Sequence, residues 1–438
     1  MSEQWRSPDV AIVGGGSVGL MVALELTRRG LRPVVLERAG DVLSGCSGGS
    51  AGLLSPAHST PLATPGAVRE GLRHMLRRDS PFSMRPRPGL LLWLLRFMAA
   101  ARPSRVLAGT EVLLQLSFSS LERHQALAAS GLDTGLRALG AINVYETEQA
   151  FAKGRAEAKA LAAHEIKSQV LSPEEARSLE PALSDRVVGA VFYPDEAQCE
   201  PERFMLAVAG AAQAAGAVIR TRAEVFDVRV RAGRVTALET TIGQVKPRAV
   251  VVANGAWAAQ LSRRIGLFLP VEGGKGYHLD LEQAGSDPTI PVYMQEARVI
   301  ATPFEDRLRL AGTLQLTGLD MRLDRIRVTA TLNAGVRTLR GIHPGRVTEV
   351  WRGIRPCTPD GLPVIGRSAR IENVVFATGH AMKGLHLAPA TGSLVADLVT
   401  GQTPVHDLGP LSPDRFGGPG RAARRRTRTG PDGQRAHR

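Results

Sequence analysis

The chain has 438 residues, of which 43 % are hydrophobic, and its formal net charge is +14 at pH 7. This length predicts two structural domains, and the hydrophobic fraction excludes a chain that is disordered throughout. Seven arginines and one aspartate lie in residues 417–438, so nearly half of the charge belongs to a Gly-, Pro- and Arg-rich tail. We expect this tail to be disordered, and its composition disfavours a nucleic-acid partner.

Cysteine and histidine spacing disfavours a disulfide framework and a metal centre. Cys46, Cys199 and Cys357 are far apart and form no CxxC pair, and the ten histidines include no HExxH motif. We therefore expect no bound metal and a reducing compartment.

No targeting signal is visible at the N-terminus, where Glu3 and Asp9 interrupt the sequence. The most apolar stretch, residues 90–101, contains Arg96 and is shorter than the about 20 residues that span a bilayer. We favour a buried helix here, with a helix lying on a membrane surface as the alternative. The expected location is the cytoplasm, with peripheral contact at the inner face of the cytoplasmic membrane left open.

The first elements form a strand–turn–helix–strand unit. Val10–Val13 predicts a buried strand, residues 14–19 a tight turn, and residues 18–29 a helix that stops at Gly30. A second strand is expected at residues 33–37. This order is typical of a βαβ half-unit with a parallel strand pair.

The turn has GxGxxG spacing at Gly14, Gly16 and Gly19. The first glycine permits the turn, the second allows close approach of a pyrophosphate, and the third lets the helix pack on the strand. The helix N-terminus offers free N–H groups to the phosphates. Glu37 ends the second strand, where a carboxylate can accept the ribose hydroxyls and disfavours a 2′-phosphate. The unit therefore predicts a site for an adenine dinucleotide.

Later segments continue the mixed pattern of helices and strands. Apolar helices are predicted at residues 106–129, 201–215 and 388–399, and strands at 217–221, 225–230, 235–239, 249–253 and 374–378. Residues 263–345 have mixed strands and frequent turns, as in an antiparallel sheet on the substrate side.

We predict an α/β fold with a discontinuous, Rossmann-like cofactor domain. Its pieces are residues 1–58, 199–262 and 346–416. Residues 59–198 and 263–345 form a mixed-sheet substrate domain, and residues 417–438 form the tail.

Three further segments favour FAD over a nicotinamide cofactor. They are glycine-containing turns at residues 47–52, 254–257 and 377–384. A flavin dinucleotide is long and needs contacts from distant segments, whereas the residue sets that a nicotinamide enzyme needs on its substrate side do not stand out.

From about residue 9 to 416 the chain resembles the FAD-dependent D-amino-acid oxidase superfamily, and within it the bacterial D-amino-acid and D-hydroxyproline dehydrogenases. The resemblance rests on VAIVGGGSVGLMVALELTRRG with VVLER, SGGSAGLLSP with ATPGAV, SPFSMRPRPGLLLWLLRF, GKGYHLDL, LRLAGTLQLTG, WRGIRPCTPDGLPVIG, GHAMKGLHLAPATGSLVADLVTG and LSPDRF. It implies a glutathione-reductase-type FAD-binding domain and oxidation of a carbon–nitrogen bond by hydride transfer from Cα to the flavin.

Such chemistry needs orientation of a neutral amine more than an acid–base pair. An arginine suits the substrate carboxylate, because its planar fork makes two hydrogen bonds. Arg355, in Gly-Ile-Arg-Pro, matches the carboxylate-binding arginine of the superfamily, and Arg352 is its competitor.

Three other residues complete the expected catalytic region. Tyr277 is expected to face flavin or substrate, with core packing as the alternative, and Tyr293 is a weaker substrate-site candidate. Lys383 is expected beside the isoalloxazine ring, where it could stabilise charge on the reduced flavin; solvation of a helix end is the alternative. The residues expected to contact FAD are Gly14, Gly16, Ser17, Gly19, Glu37, Arg38, Ser47, Ser50, Ala51, Gly52, Val225, Asn254, Gly255, Trp257, Gly379, His380, Gly384 and Leu385.

Some superfamily members attach FAD through a cysteine upstream of the Thr-Pro-Asp stretch. Cys357 is too close to that stretch to match, and Gly353 occupies the more distant position, so we expect non-covalent FAD. Ser50 stands where close dehydrogenases often have asparagine, and Met382 and Lys383 also depart from the pattern, which leaves substrate and electron acceptor open.

Three functions remain as hypotheses. The first is a D-amino-acid or D-hydroxyproline dehydrogenase that passes electrons to a quinone or other carrier. The second is a sarcosine- or glycine-oxidising enzyme that uses oxygen. The third is a basic nucleic-acid- or membrane-binding protein with a vestigial cofactor fold.

Overall fold

The computed structural model describes residues 3–74 and 82–417, so the predicted tail from residue 418 onward lies outside the described residues. The described strands are β1 Val10–Val13, β2 Pro33–Leu36, β3 Leu53–Leu54, β4 Phe82–Met84, β5 Ala141–Tyr145, β6 Gln169–Leu171, β7 Gly189–Tyr193, β8 Ala197–Gln198, β9 Val218–Arg220, β10 Val225–Arg231, β11 Arg234–Thr240, β12 Gly243–Val245, β13 Ala249–Val252, β14 Glu272–Glu282, β15 Val292–Met294, β16 Val299–Pro303, β17 Arg307–Leu316, β18 Val347–Cys357, β19 Val364–Ser368 and β20 Ile371–Thr378.

The α-helices in the same residues are α1 Ser17–Arg28, α2 Pro65–His74, α3 Pro88–Ala100, α4 Pro103–Ala129, α5 Glu148–Leu161, α6 Pro173–Leu179, α7 Pro201–Ala214, α8 Ala258–Arg264, α9 Arg325–Thr338 and α10 Ala388–Thr400.

The first sheet has six strands in the order β19-β20-β13-β1-β2-β9, and all neighbours except β19 and β20 are parallel. Its central strands β1, β2 and β13 are short apolar runs that are almost entirely buried, as expected for parallel strands covered on both faces. Helices α1, α7 and α10 cover one face. The three-stranded sheet β10-β11-β12 and helix α8 cover the other. The predicted α/β fold with a discontinuous parallel sheet is thus confirmed.

The second sheet follows the order β18-β14-β17-β16-β15-β5-β7-β6, with β4 paired to β17. Its pairs are antiparallel except β5 with β15 and β4 with β17, so the sheet is mixed, as the fold prediction states. Helix α9 packs against β14 and β17 on one face.

Strand β18 departs from the predicted division at residue 346. That boundary would group residues 347–357 with the first sheet, whereas β18 pairs along its length with β14 of the second. The sequence of residues 347–357 carries polar residues on both faces of the strand and gave no signal that it belongs to the second sheet. The two-domain division otherwise stays a prediction.

Helix α3 corrects the expectation of a buried helix in the apolar stretch. Leu90, Trp93, Phe97 and Ala100 are buried at helical spacing. The opposite side is exposed, with exposed fractions of 63 % for Leu91, 49 % for Leu92, 51 % for Leu95 and 47 % for Met98. Eleven apolar residues in a stretch of twelve suggested burial on all sides, but only one side of the helix packs against the rest of the protein.

Candidate active site

A cavity of about 1390 Å³ lies between the carboxyl ends of the first sheet and the uncovered face of the second. Ligands of doubly wound sheets bind at such carboxyl ends. The predicted residues that line the cavity are Gly14, Gly16, Ser17, Glu37, Arg38, Ser47, Ser50, Ala51, Val225, Asn254, Gly255, Trp257, Tyr293, Arg355, His380, Lys383, Gly384 and Leu385. Gly19, Gly52, Tyr277 and Gly379 are outside this lining.

The glycine turn between β1 and α1 places the N-terminus of α1 at the cavity wall. Gly14 has φ +110°, and a Cβ there would lie 2.6 Å from the carbonyl oxygen of Ala253. A Cβ on Gly19 would lie 2.0 Å from the Gly14 carbonyl oxygen, so this glycine acts through packing and need not face the cavity. Gly16, the N-cap of α1, has no side chain to cap the helix, and in the first turn of α1 the Ser17 N–H donates to Ser47 Oγ. The turn therefore leaves backbone N–H groups facing the cavity.

Glu37 is fixed at the end of β2 by backbone donors. Its Oε2 accepts from the Gly15 N–H at 2.7 Å, and its Oε1 accepts from the Ala39 N–H at 2.8 Å. Beside it, the guanidinium of Arg38 lies 3.6 Å from the centre of the Trp257 ring, and both side chains line the cavity. This end of the cavity thus combines an oriented carboxylate with a flat cation–π pair.

Hydrogen bonds join three of the predicted glycine-rich segments. Ser47 Oγ accepts from the Ser17 N–H at 3.1 Å and lies 3.0 Å from Ser17 Oγ. Ser17 Oγ in turn donates to the Gly384 carbonyl at 3.2 Å. Segments that are more than 300 residues apart therefore meet at the start of α1, as a long ligand requires.

Arg355 reaches the cavity from β18. Its guanidinium lies flat over Gly276 of β14, where a Cβ would come within 2.3 Å of Arg355 Cζ. Its Nη1 donates to the Thr313 carbonyl at 2.6 Å. Arg352 also lines the cavity, but its Nε donates to the Met321 carbonyl at 2.6 Å on the exposed side. Arg355 is therefore the better-buried guanidinium of the two.

Tyr277 does not reach the cavity, so its predicted contact with flavin or substrate has no support in the structure. The side chain is buried and its hydroxyl donates to Gln315 Oε1 at 3.1 Å. Tyr293 of β15 does line the cavity, and it packs edge-on against His58 with ring centres 4.9 Å apart. Core packing, the stated alternative for Tyr277, matches its position.

Lys383 lies in a buried polar cluster that the sequence patterns did not predict. Its Nζ donates to the His58 carbonyl, and burial lowers its pKa to about 7 against the opposing effect of Glu196. Burial raises the pKa of Glu196 to about 8, opposed by hydrogen bonds from Ser55 and Ala57 and by the charge of Lys383. Ser55 and His58 lie three and six residues after the small-residue run of residues 47–52, and this closeness was a usable signal. Glu196 carries no such signal.

The thiol of Cys357, the cysteine of β18, is not exposed. Cys357 is buried, burial raises the pKa of its thiol to about 12, and its carbonyl accepts from Trp93 Nε1 at 3.2 Å. Cys46 lines the cavity near Arg355, whose charge opposes the effect of burial on the pKa of its thiol.

One group of possible metal ligands occurs in the described residues, namely His278, Asp280 and Glu349. Asp280 already accepts from Arg309 through both oxygens at 2.7 Å, and His278 Nδ1 lies 3.0 Å from the Gly49 carbonyl. These contacts fit an ion-pair cluster, and the expected absence of a metal stays a prediction.

Comparison with known proteins identifies the family. Residues 9–398 match the model of the DAO family, described as FAD dependent oxidoreductase. The chain belongs to this family of FAD-dependent oxidoreductases. It is 31 % identical over 414 residues to D-amino acid dehydrogenase 2 of Mesorhizobium japonicum, covering 91 % of this chain and 98 % of that protein. It is 32 % identical over 408 residues to a D-amino acid dehydrogenase of Methylobacterium sp., covering 90 % and 96 %.

The solved structures agree with this assignment. Glycine oxidase from Geobacillus kaustophilus superposes on the oxidoreductase with a TM-score of 0.76 and 28 % identity, covering 93 % of this chain and 98 % of that one. In residues 3–74 and 82–417 no helix has the length and hydropathy needed to span a bilayer.

The residues of the cavity fit FAD, the cofactor of the oxidoreductase family. Asn254 Oδ1 is buried on the cavity wall without a hydrogen-bond partner among the described residues. A Cβ on Gly16 would contact only Ser47 Oγ, at 3.4 Å, so the wall is open at the second glycine. A buried acceptor without a partner and a helix N-terminus at the cavity together suit a polar ligand with a pyrophosphate.

Proposed function

We propose that this oxidoreductase oxidises the Cα–N bond of a D-amino acid and that Arg355 binds the substrate carboxylate. The observation that carries the proposal is that Arg355 faces the same cavity as the glycine turn, although it comes from the other sheet. The D-amino acid dehydrogenases to which the chain is similar over most of its length support the substrate class.

In this proposal the first sheet belongs to the FAD-binding domain and the second, including β18, to the substrate domain. Gly14, Gly16 and Ser17 would hold the pyrophosphate, and Glu37 the ribose of the adenosine. Lys383 and Gly384 would lie near the flavin ring. When bound, FAD supplies the acceptor for the hydride that leaves the substrate Cα.

Arg355 acts by orientation. The Gly276 backbone and the Thr313 carbonyl fix the plane of its guanidinium, so a carboxylate can meet it with two parallel hydrogen bonds. Holding the carboxylate in this way restricts the positions open to the Cα–H bond, which contributes to the rate through orientation.

A peripheral membrane contact and a quinone acceptor form the finer part of the proposal. The exposed face of α3, formed by Leu91, Leu92, Leu95 and Met98, is flanked by Arg102 and Arg105, which are also exposed. Apolar side chains beside cationic ones suit the surface of an anionic bilayer. Leu91 and Met98 also line the cavity, so this face lies at its mouth.

An oxygen-using glycine or sarcosine oxidase is the second candidate, favoured by the likeness to the Geobacillus glycine oxidase at 28 % identity. The two candidates differ in the electron acceptor and in the substrate.

The test is anaerobic bleaching of the bound flavin by D-amino acids, D-hydroxyproline, their L-enantiomers, glycine and sarcosine. We expect bleaching by D-enantiomers, reoxidation by a soluble quinone, and release of the flavin into the supernatant after acid denaturation. Bleaching by glycine and sarcosine alone, with stoichiometric hydrogen peroxide in air, contradicts the proposal and supports the second candidate.

A further inference from the structure

Ser55, His58 and Glu196 form a chain of hydrogen bonds that begins at the cavity wall. Ser55 and Glu196 are buried, with exposed fractions of 6 % and 3 %, and His58 is partly buried; Ser55 and His58 both line the cavity. Ser55 Oγ donates to Glu196 Oε1, and the same oxygen accepts from the Ala57 N–H at 3.1 Å. His58 Nδ1 lies 2.5 Å from Ser55 Oγ. The chain therefore runs from the cavity through the serine to an interior carboxylate.

The donors in this chain fix the tautomer of His58. A serine hydroxyl has one hydrogen, and when Glu196 is ionised its carboxylate accepts it. Ser55 Oγ must then accept from His58, so Nδ1 carries the proton and Nε2 has the lone pair. Burial and the charges of Lys383 and Arg298 lower the pKa of His58 to about 3, so the ring is neutral at working pH. Asn143 Nδ2 is 3.5 Å from Nε2, at the outer limit of a hydrogen bond, and leaves Nε2 open to a better donor.

We propose that His58, Ser55 and Glu196 form a relay that accepts a proton from the ammonium group of the substrate. This inference rests on the proposed function, in which a D-amino acid occupies the cavity. Most of a free amino acid carries a protonated amine near neutral pH, and hydride loss from Cα needs the neutral amine. A group that removes this proton inside the cavity therefore raises the fraction of bound substrate that can react.

The step moves protons only. A substrate N–H bond breaks and its proton binds His58 Nε2, while the proton on Nδ1 passes to Ser55 Oγ and the serine proton passes to Glu196 Oε1. The substrate becomes a neutral amine, Glu196 becomes a carboxylic acid, and His58 is left in its other tautomer. After the product leaves, the proton returns by the same route to water.

Lys383 and the neighbouring charges set the pH range of the relay. Glu196 accepts a proton only as a carboxylate, so its raised pKa of about 8 makes the relay active above that pH and inactive below it. Lys383 Nζ anchors the His58 carbonyl, and its charge lowers the pKa of Glu196. The other titratable or charged groups coupled to this cluster are Arg298, Glu157, Tyr145, Tyr193 and His386.

A pair of substrates tests the relay. D-Alanine enters mostly as an ammonium ion, whereas the electron-withdrawing group of 3,3,3-trifluoro-D-alanine makes its amine neutral at pH 8. We expect His58→Asn and Glu196→Gln to slow anaerobic flavin reduction by D-alanine about 10²-fold at pH 8. Reduction by the trifluoro compound should stay at the wild-type rate, and the loss with D-alanine should shrink above pH 10. His343→Gln, at an exposed position outside the cavity lining, is the matched control.

Equal losses with both substrates would assign the cluster a structural role and overturn the relay, as would no loss with either. A wild-type flavin that no D-amino acid reduces would instead refute the proposed function.

An NMR measurement on the wild type tests the relay even if the variants above do not fold. In ¹⁵N-histidine-labelled protein, the nitrogen resonances should show His58 with the proton on Nδ1, and Ser55→Ala should disturb that preference. Above pH 8, where Glu196 is ionised, a proton on Nε2 in the wild type would contradict the relay whatever the substrate.

Discussion

The two large sheets present their functional groups to the cavity in different ways. At the first sheet the groups are mainly backbone: the turn at Gly14 and Gly16 and the N–H groups in the first turn of α1. At the second sheet they are side chains, of which Arg355 and Tyr293 come from strands that are far apart in sequence. Backbone sites need glycines at fixed spacing, whereas a side chain on a sheet face is placed by strand register.

This difference decides what a single sequence can reveal. Glycine spacing is a linear pattern, so the cofactor end of the first sheet can be predicted from the amino-acid sequence alone. Register depends on pairing between β14, β17 and β18, and a one-residue slip would send Arg355 to the other face.

The largest effect is expected from breaking the backbone site. Gly19→Ala places a Cβ 2.0 Å from the Gly14 carbonyl oxygen, which only movement of the turn can relieve. We expect the purified variant to fold but to lose its bound FAD, measured as flavin absorbance per chain after gel filtration. Gly210→Ala in α7 has open space around the new Cβ and is the matched control. Full flavin occupancy in Gly19→Ala would contradict the role of the turn.

A second experiment tests the proposed membrane face beside the second sheet. Leu92→Asp with Leu95→Asp puts two charges on the exposed face of α3 without altering the cavity lining. Each leucine that inserts into the bilayer contributes about 1.5–3 kcal/mol to the free energy of membrane binding. Binding to phosphatidylglycerol vesicles should therefore fall at least about tenfold in flotation assays. Val405→Asp, at a position that is 74 % exposed elsewhere, should bind like the wild type. Equal binding by all three proteins would remove α3 from the proposal.

A smaller change is expected at Lys383. Its positive charge lowers the pKa of Glu196, so Lys383→Met should raise that pKa further above about 8. The acid limb of the rate of flavin reduction should then move to higher pH by less than about one unit, because a lysine with a pKa of about 7 is charged in a minor fraction of the molecules where Glu196 titrates. The shift is measured against Glu196→Gln, whose rate should rise only as the substrate amine itself loses its proton. A limb that stays in place or moves to lower pH would show that Lys383 does not act on Glu196.

The sequence allowed most of the first sheet to be predicted. The strands at Val10–Val13 and Ala249–Val252, the helix after the turn and the carboxylate of Glu37 all lie where the pattern placed them. Apolar runs bounded by glycine are local signals, and the structure preserves them.

Three features outside the first sheet could not be predicted in the same way. The sequence does not say to which side of β14 Tyr277 points; the structure buries its side chain against Gln315, outside the cavity lining. Glu196 joins the polar cluster because β8 pairs with β3, a contact between segments about 140 residues apart. The free face of α3 was missed because an apolar run does not tell which of its sides has a partner.

The most direct test of the account compares the apparent dissociation constant of the best D-amino acid for the wild type, Arg355→Ala and Arg352→Ala. It is read from the concentration dependence of anaerobic flavin reduction. Removing one partner of a buried ion pair costs about 2–5 kcal/mol, so Arg355→Ala should weaken binding roughly 10²-fold or more with its flavin retained. In the wild type Arg352 Nε donates to the Met321 carbonyl on the exposed side, so Arg352→Ala should change the dissociation constant little. An unchanged constant in Arg355→Ala would contradict the assignment of the carboxylate site.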